Sequence, residues 1–459
     1  MAGPRRRGTF HDMTGSIRVF DLETARKGIL ARKAWENVEI TPAMAASIER
    51  VFGERLTADQ AVERIIADVR ARGDEALRHY NLTIEGAATP ALRVSREEIS
   101  EAWEGTSPEV RAALETAAGR IELFHRKQHR QSWLDWDDEG GALGQIIRPV
   151  ERVGIYAPGG RVPYPSSLLM SVVPARVAGV PDVAVASPPG KDGRIAPVLL
   201  AAARVAGVGA VYKIGGAQAI AAFAYGTESV PAVSKIVGPG NLFVMLAKRR
   251  VFGQVGIDGL PGPTETVVVA DETADPALVA ADLLAQAEHD VLASPICLTP
   301  SRKLAGRVAD ERARQLPGLE RRAVIAEALA FQGGIVLTED LAEALAAAND
   351  YAPEHLCLLV RDAWSWVGKV RNAGGVFVGE TSSEALGDYV LGPAHIMPTG
   401  GTARWSSPCN VWDFLKMTSV YAPAESTAAR LAGAAATLAR AEGLTAHAAA
   451  VEARLRRGR

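Results

Sequence analysis

Cysteine is scarce in this 459-residue chain, with Cys297, Cys357 and Cys409 far apart and in no CxxC pair. That spacing argues against a disulfide framework and a thiolate metal site, and points to a reducing compartment. No apolar run approaches the ~20 residues of a membrane span. An excess of one charge is missing too: 51 basic against 53 acidic residues leave a formal net charge of -2. Nothing in that balance favours nucleic acid or an anionic membrane as a partner. The amino-terminal MAGPRRRGTFHD carries a basic cluster with no apolar segment after it. It reads as a frayed tail, not a secretion signal, and a cytoplasmic location is expected. Several signatures of common chemistries are also lacking: HExxH, the GxSxG elbow, the GxxxxGKS/T phosphate loop and the GxGxxG dinucleotide fingerprint.

What is present is an alternation of two periodicities. Residues 17 to about 130 read as mostly helical, with starts at Thr57, at Ser95 and at Ser107-Pro108. From about 151 the pattern becomes strand, glycine turn, helix. RVGIYAPGG is a strand running into a loop, and ARVAGV recurs at 175–180 and 203–208 as a helix end before a β-branched strand. A second block follows, from TETVVVADE through HLCLLV to GGVFVGE. Strands alternating with helices imply parallel sheets, and the cleft between two such blocks is the natural ligand site. After residue 406 the chain turns helical and Ala-rich, which suggests an arm.

The helix beginning at Asp275-Pro276 starts apolar, with Val279 and Leu283 on one face, and ends polar. Gln286 shares that face, His289 lies one turn on, and Asp282 falls on the same side. Taken alone, a helix end emerging into solvent is the plainer reading; a metal or substrate site is the sharper one. The eight histidines shift the balance. His11, His79, His125 and His129 sit on the tail or on polar helix faces and receive no role. The other four sit at element ends: His289; His355 after Glu354 in APEHL; His395 in a Gly/Pro-punctuated loop that also carries Asp388; and His447 beyond a helix break at Gly443, with Thr445 as a cap and Glu442 just before. His289, His447 and Asp388 suit zinc, which takes imidazole nitrogen and carboxylate oxygen; Gln is an uncommon ligand, so spacing alone makes a weak case.

Together RVGIYAPGG, PARVAGV, KIGGAQAIAAFAYGTESV, KIVGPGN, GPTE, DLLAQAEHD, APEHL, ALGDYVLGPAHIMPTGGTARWSS and AEGLTAHAAAV, in that order over roughly residues 50–455, resemble the histidinol dehydrogenase family. The resemblance implies an α/β fold of two Rossmann-like parallel-sheet domains with helical amino- and carboxyl-terminal extensions. It implies a homodimer with shared active sites. The expected division is a tail and arm at 1–48, a discontinuous first α/β domain of 49–150 and 265–405, a second, NAD-binding α/β domain at 151–264, and a dimer-swapped helical arm at 406–459. The implied activity is oxidation of L-histidinol through the aldehyde to L-histidine with NAD and one zinc ion per subunit. The implied metal ligands are Gln286, His289, Asp388 and His447. Glu354 and His355 would be the acid/base pair. Thr264, Gln286, His289, His355, Asp388, Glu442 and His447 would surround the substrate, and Tyr156, Gln218 and Asn241 would contact NAD. The departures are Thr264 where the family usually has Ser, Ala394 where it usually has Asn, and VPYPSS after the Pro-Gly-Gly. They keep open a related NAD-dependent dehydrogenase acting on another small amino or sulfonated alcohol, such as sulfopropanediol. A non-catalytic binding protein that kept the fold is the reading from outside enzymology, and the full set of presumed functional residues argues against it.

Overall fold

The computed structural model describes residues 17–32, 41–159 and 162–455. The strands, in chain order, are β1 (Val19–Asp21), β2 (Trp133–Trp136), β3 (Ala142–Pro149), β4 (Arg152–Tyr156), β5 (Asp182–Ser187), β6 (Ala210–Lys213), β7 (Lys235–Val237), β8 (Gly256–Ile257), β9 (Glu265–Ala270), β10 (Ser294–Thr299), β11 (Gly334–Leu337), β12 (His355–Leu359), β13 (Gly375–Val378) and β14 (Leu415–Ala422). They make two parallel sheets, one of order β6-β5-β4-β7-β8 and one of order β1-β11-β10-β9-β12-β13. A small antiparallel sheet, β14-β3-β2, stands beside them. The fold is therefore α/β, as the alternating pattern implies.

Both parallel sheets are covered on both faces, so their strands are continuous apolar runs such as VVVA in β9 and ICL in β10, without polar alternation. On one face of the five-stranded sheet lie the helices Ala58–Arg72, Gly216–Tyr225 and Leu242–Val251, packed around Tyr80, Phe223 and Val244. On the other lie Pro165–Val177 and Pro197–Ala206, joined by Arg96–Gly105 and Pro108–His125. The six-stranded sheet is enclosed in the same way. Pro276–Ala287, Arg302–Gln315 and Arg322–Phe331 cover one face, and Leu22–Lys27 and Leu341–Tyr351 cover the other.

Four sequence expectations change. The helices between residues 58 and 125 pack on the five-stranded sheet, not on the 265–405 block with which the sequence reading groups them. Asp74 fastens this layer down, accepting from the Thr227 hydroxyl at 2.6 Å, from the Ser229 backbone N–H at 3.2 Å and from the Ser229 hydroxyl. An amphipathic helix specifies that it needs an apolar partner, and its sequence does not say which sheet supplies it. Residues 17–32, expected in a tail and arm, contribute β1, which pairs with β11 at the sheet edge. The segment after 406 is not all helix, because β14 pairs with β3 along its full length before the helices Glu425–Ala441 and Thr445–Leu455. His125 is buried, its Nδ1 2.8 Å from the Ile121 carbonyl oxygen, where an exposed polar face was expected. His79 and His129 are exposed as expected, and His11 lies outside the described residues.

Candidate active site

Asp275 caps the helix Pro276–Ala287, accepting from the Ala277 N–H at 2.8 Å, with Pro276 in the first turn. The helix runs back from the carboxyl end of β9 to the amino end of β10. Its last turn therefore arrives at the edge of the sheet where β9 and β12 begin. Gln286 there is buried, and His289 sits in the turn just beyond, accessible to solvent. Thr264 precedes β9, and Glu354-His355 opens β12. The helix Glu384–Tyr389, capped by Ser383, brings Asp388 to the same place. Four separate stretches of chain thus meet at one sheet edge.

Their contacts are direct. The Thr264 hydroxyl lies 2.7 Å from Glu354 Oε2 and 2.9 Å from Gln286 Oε1. It has a single proton to donate, so one of the two oxygens receives it; a half-turn of the Gln286 amide would present Nε2 to the hydroxyl and free the oxygen. Glu354 Oε2 also accepts from the Glu265 N–H at 3.2 Å and stands 3.5 Å from His355 Nδ1. His355 Nε2 is 3.4 Å from Asp388 Oδ1, and its ring stacks on Phe377 at 5.6 Å between centroids. Ala352, two residues before Glu354, is buried at φ 52°, the left-handed region, where a side chain costs about 1–2 kcal/mol. The rest of the fold holds the turn that aims the pair.

The electrostatics follow from that packing. Burial alone would depress the His355 pKa, but Glu354, Glu384 and Asp388 outweigh it and hold it well above the usual imidazole value. Asp388 moves the other way: burial raises it, and the hydrogen bond from His355 with the nearby His395 and His289 brings it below the usual carboxylate value. His289 is lowered by the protein crowding its ring, against the pull of Asp388 and Glu354. Behind the site is a wall of acids that the sequence reading did not assign. Glu384 is fully buried, its Oε1 accepting from Thr266 Oγ1 at 2.7 Å and from Cys357 Sγ at 2.9 Å, and burial raises its pKa. Asp282 is pushed up to about 7 by burial and by the charge of Glu384. Glu265, buried, is clasped by the Arg32 guanidinium, one arm of it at 2.9 Å, while that guanidinium stacks 3.6 Å from the Tyr351 centroid.

His395 also belongs here, although it received no role from the sequence. Its Nδ1 lies 2.7 Å from the Asp388 carbonyl oxygen, and its Nε2 lies 2.9 Å from Ser167 Oγ, on the helix that follows the Pro-Gly-Gly loop of the five-stranded sheet. The amino edge of one sheet is therefore joined to the carboxyl edge of the other. Its place in a loop rich in Gly and Pro was the available signal. Glu442 and His447 are exposed on the arm, and among the described residues no hydrogen bond or ion pair ties them to this cluster within the chain. Among the described residues no three His, Cys, Asp or Glu side chains are arranged to hold a metal ion. A cation at this edge would use Gln286, His289 and Asp388, a nitrogen and oxygen set that zinc accepts, with a further donor from outside the chain.

The second polar surface is the carboxyl edge of the five-stranded sheet. Strand order reverses between β4 and β7, the switch point where α/β sheets bind ligands. Tyr156 ends β4, and its hydroxyl accepts from the Gly216 N–H at 3.1 Å. Gln218, on the first turn of the following helix, is buried, and among the described residues neither its amide atoms nor the buried Ser187 hydroxyl at the end of β5 has a hydrogen-bond partner. Such orphans are costly unless a ligand or water meets them. These side chains press on bare backbone: a β-carbon on Gly159 would lie 2.6 Å from Ser187 Oγ, and one on Gly216 would lie 2.8 Å from Gln218 Oε1. Across the switch point Gly238, at φ 118°, donates its N–H to Asp258 at 2.8 Å, and Asn241 Oδ1 caps the next helix through Phe243 and Val244. Asn241 remains exposed at this edge.

Known proteins share this arrangement of sequence and fold. A sequence model described as Histidinol dehydrogenase matches residues 50–455. The chain is 53% identical over 437 residues to the histidinol dehydrogenase of Deinococcus radiodurans, covering 95% of this chain and 99% of the relative. It is 52% identical over 398 residues to that of Thermus thermophilus, covering 87% and 95%. The crystal structure of histidinol dehydrogenase from Elizabethkingia anophelis superposes with a TM-score of 0.87 at 32% identity, over 96% of this chain and 98% of that one. With its length, its motifs and its two-sheet architecture all matched, the chain is an oxidoreductase that belongs to the histidinol dehydrogenase family.

Proposed function

We propose that this enzyme oxidises L-histidinol through the aldehyde to L-histidine, using NAD at the carboxyl edge of the five-stranded sheet and a zinc ion at the amino edge of the other. The observation that carries this reading is the meeting of Thr264, Gln286, Glu354, His355 and Asp388 within hydrogen-bonding reach, with His289 at the rim. The donor set suits zinc, which would fix the substrate's imidazole and amine; the unpartnered Gln218 and Ser187, beside Tyr156 and Asn241, suit a dinucleotide, which would accept hydride.

The chain's own residues supply proton handling. His355 faces the cluster from a buried, stacked position and takes the hydroxyl proton as hydride leaves. Glu354, Glu384 and Asp388 together raise its pKa, and a cation bound at Asp388 would oppose that pull. Glu354, fixed by Thr264 and the Glu265 N–H, orients the water that the aldehyde needs before its second oxidation. Of the three departures from the family pattern, Thr264 and Ala394 do not favour a different alcohol. Thr264 makes its contacts through the hydroxyl that Ser would also supply, and Ala394 is buried in the apolar cluster between the layers.

The arm is assigned to a second copy. Glu139 anchors its root, its carboxylate held down to about 2 by Ser426, Thr427 and Arg430. Beyond that the two arm helices pack on each other, leaving Leu431, Leu438 and Leu444 exposed. The antiparallel sheet at its base exposes Trp133, Met417 and Tyr421 on one face, an apolar surface that a homodimer would cover. Glu442 and His447 would then complete the partner's site. No described helix is long and apolar enough to cross a membrane, and the reading places the enzyme in the cytoplasm without nucleic acid or membrane partners.

The test is stoichiometric. With limiting histidinol and excess NAD, two NADH and one histidine are expected per histidinol. One NADH with accumulating aldehyde, or no NADH at all, would refute the four-electron assignment.

A further inference from the structure

In a dinucleotide fold the adenosine ribose is met by an acidic residue at the end of the second strand. Here that strand is β5, and its end, Ser187-Pro188-Pro189, has no acid. The next one, Asp192, is exposed and turned to the backbone N–H of Arg194 at 3.0 Å. A carboxylate nevertheless occupies the position, delivered from outside the sheet. Glu85 closes the π-helical turn Asn81–Glu85, a rare conformation often found at functional sites. A β-carbon on Gly215 would lie 2.6 Å from Glu85 Oε1 and 2.7 Å from Pro188 Cβ, so the acid stands over the glycine turn between β6 and Gln218, against the end of β5. Its charge acts on Tyr156, whose hydroxyl holds the neighbouring Gly216 N–H. It is half-buried, and no hydrogen bond or ion pair to its carboxylate is present among the described residues. Burial raises its pKa, as expected for a carboxylate short of donors.

We propose that Glu85 selects NAD over NADP, accepting hydrogen bonds from the free adenosine-ribose hydroxyls and repelling a 2′-phosphate. This rests on the nucleotide site proposed above. The partner chemistry is specific: a vicinal diol offers donors to a carboxylate, whereas a phosphate dianion offers negative charge at the same place. Selectivity is thus supplied by the helical layer of residues 58–125, which gives that layer a reason to pack on the nucleotide-side sheet.

Equilibrium binding of NADH and NADPH to the full-length protein, read by nucleotide fluorescence, tests it without turnover. The wild type is expected to bind NADH more tightly by about tenfold or more, the scale of one like-charge contact. Glu85→Gln should narrow the ratio mainly by tightening NADPH, and Glu85→Asp, which keeps the charge, should retain most of the preference. Circular dichroism establishes that both variants fold, and if Glu85→Gln does not, Glu85→Ser replaces it. A folded neutral variant that binds both nucleotides with the wild-type ratio would overturn the role of Glu85 while leaving the nucleotide site standing. A wild type that binds neither would overturn the site itself, and this inference with it.

Discussion

His355→Asn is expected to lower kcat by ~100-fold or more, the range for losing a general base, with zinc content and fold preserved. The imidazole is buried at the amino end of β12, stacked on Phe377 and set between Glu354 and Asp388. Asn is small enough to fit and keeps a polar atom on that strand, so the contacts among Thr264, Gln286 and Glu354 do not depend on it. What it cannot do is carry a proton near neutral pH. Because His355 is not among the proposed metal ligands, metal analysis separates a lost base from a lost cation. Rates within about threefold of wild type, too small for loss of a general base, would remove His355 from proton transfer.

The second large effect concerns the arm. His447→Asn alone should abolish most turnover, since the residue is exposed on its own chain and assigned to the partner's site. Mixed with His355→Asn protein and reassembled, it should recover activity. In each mixed dimer, one site combines an intact His355 with the other chain's intact His447. Random pairing makes half the dimers mixed with one good site each, so about a quarter of wild-type activity is expected from the two-fold symmetry. A mixture no more active than its components, despite demonstrated exchange, would place His447 in its own chain's site or in none.

Much of this was legible in the sequence where the signal is local. Asp275-Pro276 and the Thr57 and Ser95 capping boxes start the helices they mark. The Glu354-His355 pair lies at the strand opening expected of it, and Thr264, Gln286, Glu354, His355 and Asp388 meet although they span more than a hundred residues. What was hidden is what depends on which surfaces meet. Nothing in the helices between 58 and 125 names their sheet, and β14 reads as a mixed LKMTSVYA whose partner, β3, lies far upstream. Glu384 and Glu85 are acids in short helical turns, where solvent exposure is the ordinary reading. Only the folded chain shows one fully buried and the other bent over a glycine turn.

The most direct measurement is anomalous diffraction at the zinc edge from crystals of the holoenzyme with histidinol. The expected result is one ion per subunit, bound by Gln286, His289 and Asp388 with His447 of the partner subunit, beside His355 and within reach of the substrate's imidazole and amine. An ion bound elsewhere, or substrate density away from this sheet edge with these side chains uninvolved, would contradict it.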